Sequence, residues 1–194
     1  ISRRRFLQLG ATSLSLPALA VSQGRLPFTL RAGEASAQLL PDNYPQTPVW
    51  AYNESIPGTT LRTQQGEGIQ LRFENHLAEP SSVHWHGIRL ENAMDGVSGL
   101  TQAGVEQGAH FDYHFRTPDA GTYWYHSHHR SWEQMARGLY GAMVIEEKDP
   151  PETDLDQVLL LDDWRLQENG EISNDFGRMM DMSHGGRIGN WLTV

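Results

Sequence analysis

The stretch GIQLRFEN, residues 68–75, alternates apolar and polar side chains, and HFDYHFRT, residues 110–117, does the same. Successive side chains of a β-strand point to opposite faces, so this period of two predicts half-buried strands. The runs GLYGAMVIEE (138–147) and QVLLLDDW (157–164) have the length of further strands, and RSWEQMARG (130–138) is a short helix candidate. Short strands with turn signals between them predict an antiparallel β-sandwich or barrel; the turn signals are IPGT (56–59), QGEG (65–68), TPDAG (117–121) and KDPP (148–151).

The composition is that of a globular protein, because 38% of the 194 residues are hydrophobic and 20% are charged. The net charge of −9 argues against a nucleic-acid partner, since binding phosphates requires a basic surface. The chain has no cysteine, which excludes disulfide bonds, thiolate catalysis and cysteine-ligated metals within these residues.

The N-terminal stretch SRRRFLQLGATSLSLPALA, residues 2–20, is typical of a secretory signal peptide. A cluster of arginines precedes a mostly apolar run that ends in a small-x-small cleavage site. An amphipathic first helix is disfavoured, because Pro17 would break it. The run is also too short to span a bilayer, which takes about 20 apolar residues. We expect residues 1–20 to be removed, leaving a periplasmic or otherwise exported protein without a membrane span. The start resembles a twin-arginine (Tat) signal in Ser2, Arg3, Arg4, Phe6 and Leu7.

The polar, proline-containing stretch EEKDPPETD, residues 146–154, is the predicted domain boundary. We expect one β-domain over residues 25–148, followed by a linker and the start of the next domain over residues 149–194. The chain begins on Ile1 and ends within NWLTV, residues 190–194, which has the pattern of a strand. These features predict a piece of a longer protein.

Two pairs of histidines share one spacing: His84 and His86 in SSVHWHG, and His126 and His128 in GTYWYHSHH. On a β-strand, residues two apart point the same way and lie about 6.6 Å apart, so each pair presents two imidazoles on one face. Two such pairs on neighbouring strands would surround a small metal cluster. Imidazole suits copper, zinc, iron and nickel, so the spacing alone leaves the metal open.

The aromatic residues among these histidines are interpreted as packing residues. We expect Trp85, Trp124 and Tyr125 to face away from the metal and to bury large apolar surfaces, because their neighbours face it. The remaining histidines are isolated in the sequence and are interpreted as surface or core residues; they are His76, His110, His114 and His184.

The segments HWHG (84–87) and DAGTYWYHSH (119–128) resemble motifs of the multicopper oxidases, the laccase-like family. Three further segments are similar to the same family in the same order: YNESIPGTTLRTQQGEGIQLRFENHL (52–77), MDGVSGLTQ (94–102) and GLYGAMVIE (138–146). The resemblance covers roughly residues 45–148. It implies an all-β, cupredoxin-like Greek-key sandwich that is the first domain of a multidomain oxidase.

The resemblance also implies roles for individual residues. The four paired histidines would supply half of a trinuclear copper cluster, with His84 on the type 2 copper and His86, His126 and His128 on the type 3 pair. Asp95 would assist proton delivery to reduced oxygen, and the alternative is that Asp95-Gly96 only forms a tight turn. His129 lies outside the motif, as a residue behind the ligands or on the surface.

The function implied is an exported oxidase that couples one-electron oxidation of a small reductant, a phenol-like compound or a metal ion such as Cu(I), to four-electron reduction of dioxygen to water. The type 1 copper needs a cysteine, so it is expected in a missing C-terminal cupredoxin domain. This stretch alone is not expected to turn over substrate. The main alternative is a non-catalytic periplasmic copper-binding or copper-tolerance protein. A relative that has lost its copper is disfavoured, because all four histidines are present.

The stretch GRMMDMSHGG, residues 177–186, contains three methionines. Thioether ligands favour Cu(I). The preferred interpretation is a linker whose methionines pack under a neighbouring domain.

Overall fold

The computed structural model describes residues 28–183 and 186–194. The proposed signal peptide and His184 lie outside these residues. Within them, no helix is both long enough and apolar enough to cross a membrane. The strands are β1 (Phe28–Ala37), β2 (Thr47–Tyr52), β3 (Gly58–Gln64), β4 (Gly68–Asn75), β5 (His84–His86), β6 (His110–Arg116), β7 (Gly121–His126), β8 (Tyr140–Glu146), β9 (Asp162–Trp164) and β10 (Trp191–Thr193). The helices are α1 (Ser131–Gln134), α2 (Met179–Ser183) and a 3₁₀ turn (Asn92–Met94).

Eight of the strands form two four-stranded sheets, in the orders β2-β1-β4-β6 and β3-β8-β7-β5. The chain crosses repeatedly from one sheet to the other, so strands distant in sequence become neighbours. Two pairs are parallel for this reason, β1 with β4 and β3 with β8, and the other pairs within these sheets are antiparallel. The predicted sandwich is therefore confirmed, but its sheets are mixed rather than purely antiparallel.

The core lies between the two sheets and follows the alternation seen in the sequence. Strand β4 has the predicted bounds and buries Leu71 and Phe73, while β6 buries Tyr113 and Phe115. Each such side chain contributes about 1.5–3 kcal/mol by leaving water. The core is completed by residues of the remaining strands, among them Leu30, Tyr52, Leu61, Trp85, Tyr125, Met143 and Ile145.

A second, smaller apolar cluster joins the C-terminal segment to the sandwich. Trp164, Leu166 and Ile172 are buried there against Val49 and Tyr140. Strands β9 and β10 pair in a separate two-stranded sheet, which confirms a strand within NWLTV. The strand predicted over residues 157–164 is confined to β9.

Of the apolar run before β9, Val158 and Leu160 are half-buried and two leucines stay on the surface. Leu159 and Leu161 are 62% and 66% exposed. An apolar run in a sequence does not specify what covers it, which explains the overextended prediction.

Candidate metal centre

The two histidine pairs meet because β5 and β7 are neighbours. Their antiparallel register places His84 opposite His126 and Trp85 opposite Tyr125. Side chains alternate across a strand, so the aromatic pair points to one face and the histidines to the other. Trp85 and Tyr125 are fully buried in the core, as predicted. The core thus anchors the strand positions that carry the histidines.

Trp124 does not face away from the histidines, so that prediction is wrong. It lies two residues before His126 on β7 and therefore shares its face. The Trp124 ring stacks on the His126 ring at a centroid distance of 4.2 Å and lies 4.9 Å from the His86 ring. Trp124 forms an apolar wall beside the two imidazoles.

The four imidazoles form one cluster around His84. The ring centroid of His84 lies 5.7 Å from that of His86, 5.3 Å from that of His126 and 5.1 Å from that of His128. Potential ligand atoms of His84, His86 and His126 all lie within 4.8 Å of one another. His128 falls outside that tighter group. It lies beyond the end of β7, and its ring centroid is 6.0 Å from that of His126.

Backbone carbonyls determine which nitrogen of two histidines is free to bind a metal. His84 Nδ1 lies 2.8 Å from the carbonyl oxygen of Asp95, and His126 Nδ1 lies 2.9 Å from that of Ser127. A carbonyl oxygen only accepts, so each Nδ1 carries the proton and each Nε2 keeps its lone pair. Such contacts behind a ligand fix the orientation of metal-binding histidines.

His126 is the most buried of the four histidines, with 5% of its surface exposed. Burial, with smaller contributions from the neighbouring histidines, lowers its pKa to about 4. The imidazole is therefore neutral near pH 7, which is the form that binds metals. His86 Nδ1 lies 3.3 Å from His126 Nε2, within hydrogen-bonding distance, so these two ring nitrogens face each other.

Asp95 lies directly behind His84. It follows the 3₁₀ turn, and its carbonyl accepts the hydrogen bond described above. Its carboxylate Oδ1 is 3.4 Å from His84 Nδ1, and 30% of the side chain is exposed. This arrangement leaves the carboxylate within reach of solvent as well as of the histidine cluster.

Among the residues that the structure describes, the other histidines are not part of the cluster. His129 Nδ1 is 2.9 Å from Ser98 Oγ, so this ring links the loop after Asp95 to the second histidine pair. His76, His110 and His114 are exposed, as expected for isolated histidines.

Sequence reasoning missed a buried polar group behind the second pair. Ser81, Ser127 and Gln134 are fully buried and bonded to one another. Serine and glutamine at those positions carry no pattern that distinguishes them from surface residues.

Similar proteins are known for most of this chain. The family model for multicopper oxidases matches residues 35–150. Copper resistance protein A of Pseudomonas syringae pv. tomato is 41% identical over 167 residues, covering 85% of this chain and 26% of that protein. Laccase-1 of Cryptococcus neoformans var. neoformans serotype D is 36% identical over 146 residues, covering 71% of this chain and 23% of that protein. The chain therefore spans about a quarter of the length of these curated relatives.

The fold has close counterparts among solved structures. A multi-copper oxidase from Pseudomonas thermotolerans matches with a TM-score of 0.81 and 39% sequence identity, over 87% of this chain and 40% of that one. This likeness confirms the expected cupredoxin-like sandwich.

Proposed function

The chain belongs to the multicopper oxidase family, and from that premise we propose that its paired histidines form half of a trinuclear copper site. The observation that carries the proposal is the meeting of His84, His86 and His126, whose ligand atoms lie within 4.8 Å of one another. The donor set fits copper, because imidazole suits this metal and the Nε2 atoms of His84 and His126 are left unprotonated. His84 would hold the type 2 copper, and His86, His126 and His128 the type 3 pair.

The whole protein would be an oxidase that takes single electrons from a small reductant, a phenol-like compound or Cu(I), and reduces dioxygen to water. Bound copper would supply the one-electron and oxygen chemistry. The remaining ligands and the type 1 copper would come from cupredoxin domains beyond this chain. A division into a domain over residues 25–148 and a connection after it is part of the proposal, supported by the absence of helix and strand between Glu146 and Asp162 in the described chain.

The chain's own residues would hold the cluster and move protons. The carbonyl groups of Asp95 and Ser127 hold two imidazoles in the tautomer that binds metal. Reduction of dioxygen consumes protons, and a carboxylate near the cluster is suited to relay them. Asp95 is proposed for this role, because its carboxylate is both partly exposed and 3.4 Å from His84.

Histidine substitutions in the full-length protein test this function. Asparagine at position 84, 86, 126 or 128 is expected to lower the copper content and to reduce oxygen uptake by more than about tenfold, as loss of a metal ligand should. The control is His110→Asn, which changes an exposed histidine on β6. Wild-type copper content and oxygen uptake in all four variants would exclude the proposed site.

The second candidate function is copper sequestration without turnover. It is favoured by the 41% identity to a protein named copper resistance protein A. Sequestration is also favoured by three exposed methionines, because thioether ligands favour Cu(I). In the described chain these side chains are not packed under other residues: Met179 is 81% exposed, Met180 65% and Met182 68%. A wild-type protein that retains copper but consumes no oxygen with either reductant would favour sequestration.

Export to the periplasm by the Tat pathway is part of the same proposal, supported by the arginine motif near the N-terminus. Replacing Arg3 and Arg4 together by lysine is expected to leave the protein in the cytoplasmic fraction. Unchanged export of that double variant would exclude the Tat pathway.

A further inference from the structure

Gln134 lies at the end of α1, the short helix that follows the second histidine pair, and it is fully buried. The chain reaches this helix through a sharp turn after His129. Arg130 adopts the left-handed conformation with φ 45° and ψ 51°, which is unfavourable for a residue with a side chain. The turn brings the Gln134 side chain back to Ser127, which lies between His126 and His128 in the sequence.

The carboxamide of Gln134 makes four hydrogen bonds. Its Oε1 accepts from Ser81 Oγ at 2.8 Å and from Ser127 Oγ. Its Nε2 donates to Glu79 Oε1 at 2.7 Å and to the carbonyl oxygen of Pro80 at 2.9 Å. The carboxylate and the carbonyl only accept, so they determine which end of the amide faces the serines. The amide oxygen is thereby dedicated to two buried hydroxyl groups.

The two serines belong to different histidine segments. Ser81 lies three residues before His84, and Ser127 lies between His126 and His128. The Ser127 carbonyl also accepts a hydrogen bond from His126 Nδ1. The Ser127 hydroxyl accepts one from the backbone N–H of His129 at 3.2 Å. One amide oxygen therefore connects the segment that leads into the first pair with the residue inside the second pair.

Charged residues brace this connection from the outside. Arg130 pairs with Glu79 at 2.9 Å and also with Glu133, which in turn pairs with Arg137 at 2.8 Å. Glu79 thus binds both Arg130 and Gln134. These bonds hold the unfavourable backbone conformation at Arg130 in place.

We propose that Gln134 is a positioning residue that sets the separation between the first and the second histidine pair. This inference rests on the proposed copper site. Removing the amide leaves the two buried hydroxyl groups with longer contacts only, 3.5 Å between Ser81 Oγ and Ser127 Oγ and 3.4 Å from Ser127 Oγ to the His129 carbonyl. The segment carrying His126 and His128 therefore loses its fixed place relative to His84. The copper affinity is expected to fall about tenfold or more, as for other residues that orient metal ligands.

The test uses the full-length protein and copper(II) ions alone. Gln134→Met removes the polar group at similar size, and Ser127→Ala removes one of its bonds and serves if the first variant does not fold. The matched control is Thr117→Val. Thr117 is fully buried and donates to the Gln64 carbonyl at 3.1 Å, beyond the opposite end of β7 from His126. Copper affinity is measured by competition with a chelator, and the copper environment by the Cu(II) EPR spectrum.

We expect weaker copper binding and an altered EPR spectrum for Gln134→Met and Ser127→Ala, and wild-type values for Thr117→Val. Wild-type affinity and spectrum in both site variants would overturn the inference, as would an equal loss in the control. If the wild-type protein itself binds no copper, the proposed function fails. Crystal structures of the metal-free proteins then decide the inference: it requires a shift of His126 and His128 relative to His84, and unchanged positions would overturn it.

Discussion

Gly96 lies where the loop after Asp95 crosses the start of β5, and we predict that it cannot be replaced by alanine. Its φ is +77°, and a Cβ atom there would lie 1.7 Å from the carbonyl oxygen of Val83. Val83 directly precedes His84, whose Nδ1 donates to the Asp95 carbonyl at 2.8 Å. The new Cβ must withdraw by about 1.3 Å to reach 3.0 Å, the shortest distance that real Cβ atoms show. A movement of that size breaks the hydrogen bond that fixes the His84 tautomer.

The expected loss of stability has three parts. A left-handed conformation costs an alanine about 1–2 kcal/mol. Relieving the overlap costs about 1–3 kcal/mol, as other insertions into packed sites do. The lost hydrogen bond adds about 1 kcal/mol. Gly96→Ala should therefore destabilise the protein by at least about 3 kcal/mol.

Gly99 provides the matched control within the same loop. Its φ is +82°, but a Cβ atom there has nothing within 4 Å, so Gly99→Ala should cost only the backbone part, about 1–2 kcal/mol. Urea unfolding of the metal-free protein, followed by tryptophan fluorescence, measures both values. The scatter of ordinary surface substitutions is about 0.5 kcal/mol. If Gly96→Ala and Gly99→Ala destabilise the protein equally to within that value, the close approach of the Val83 carbonyl to Gly96 has no effect and the prediction is refuted.

Three further predictions concern the cluster and its support. Asp95→Asn keeps the backbone carbonyl that binds His84, so copper content should be unchanged while oxygen uptake falls about 10²-fold or more. His126 has a folded-state pKa of about 4 against an ordinary 6.5, so the unfolded chain binds an extra proton between these values. Metal-free stability should therefore fall as the pH decreases from 6.5 towards 4, by up to about 1.4 kcal/mol per pH unit, and His126→Gln should remove this contribution. Trp164→Ala, at a side chain only 2% exposed, should cost about 3–5 kcal/mol, whereas Trp132→Ala, at 49% exposed, should cost about 0.5 kcal/mol or less.

Each of these three predictions would be contradicted by a specific result. Wild-type turnover by Asp95→Asn would exclude a proton-transfer role for the carboxylate. An unchanged pH profile of urea unfolding in His126→Gln would mean that His126 is not the group that loses its proton on folding. Similar unfolding midpoints for the two tryptophan variants would show that the segment after β8 is not anchored through Trp164.

Strand positions were predictable because alternation is a local pattern. The run of residues 68–75 became β4 with the same bounds, since a strand needs one face that packs and one that meets water. The same period of two explains why His84 and His86 share a face. The same period also places Trp124 on the histidine face, because it lies two residues before His126; the prediction that it faces away overlooked this.

The local pattern did not predict which groups approach from elsewhere in the chain. Asp95-Gly96 has the sequence of a tight turn. Its glycine is needed for another reason, because the Val83 carbonyl occupies the space that a Cβ atom at position 96 would fill. Likewise, Gln134 binds Ser81 from 53 residues away, a contact that exists only once β5 and β7 are paired. Residue types that make such contacts are ordinary surface residues in other settings, so only their burial distinguishes them.

The histidine motifs therefore specify the donor atoms, and other residues specify how those atoms are arranged. Two imidazoles at i and i+2 follow from strand geometry alone, but a free Nε2 at the right distance requires the carbonyls of Asp95 and Ser127. Asp95 is placed by the close approach of Gly96 to the Val83 carbonyl, and Ser127 by the hydrogen bond of its hydroxyl to Gln134. Substitutions at Gly96 and Gln134 should thus weaken copper binding although neither residue carries a ligand atom.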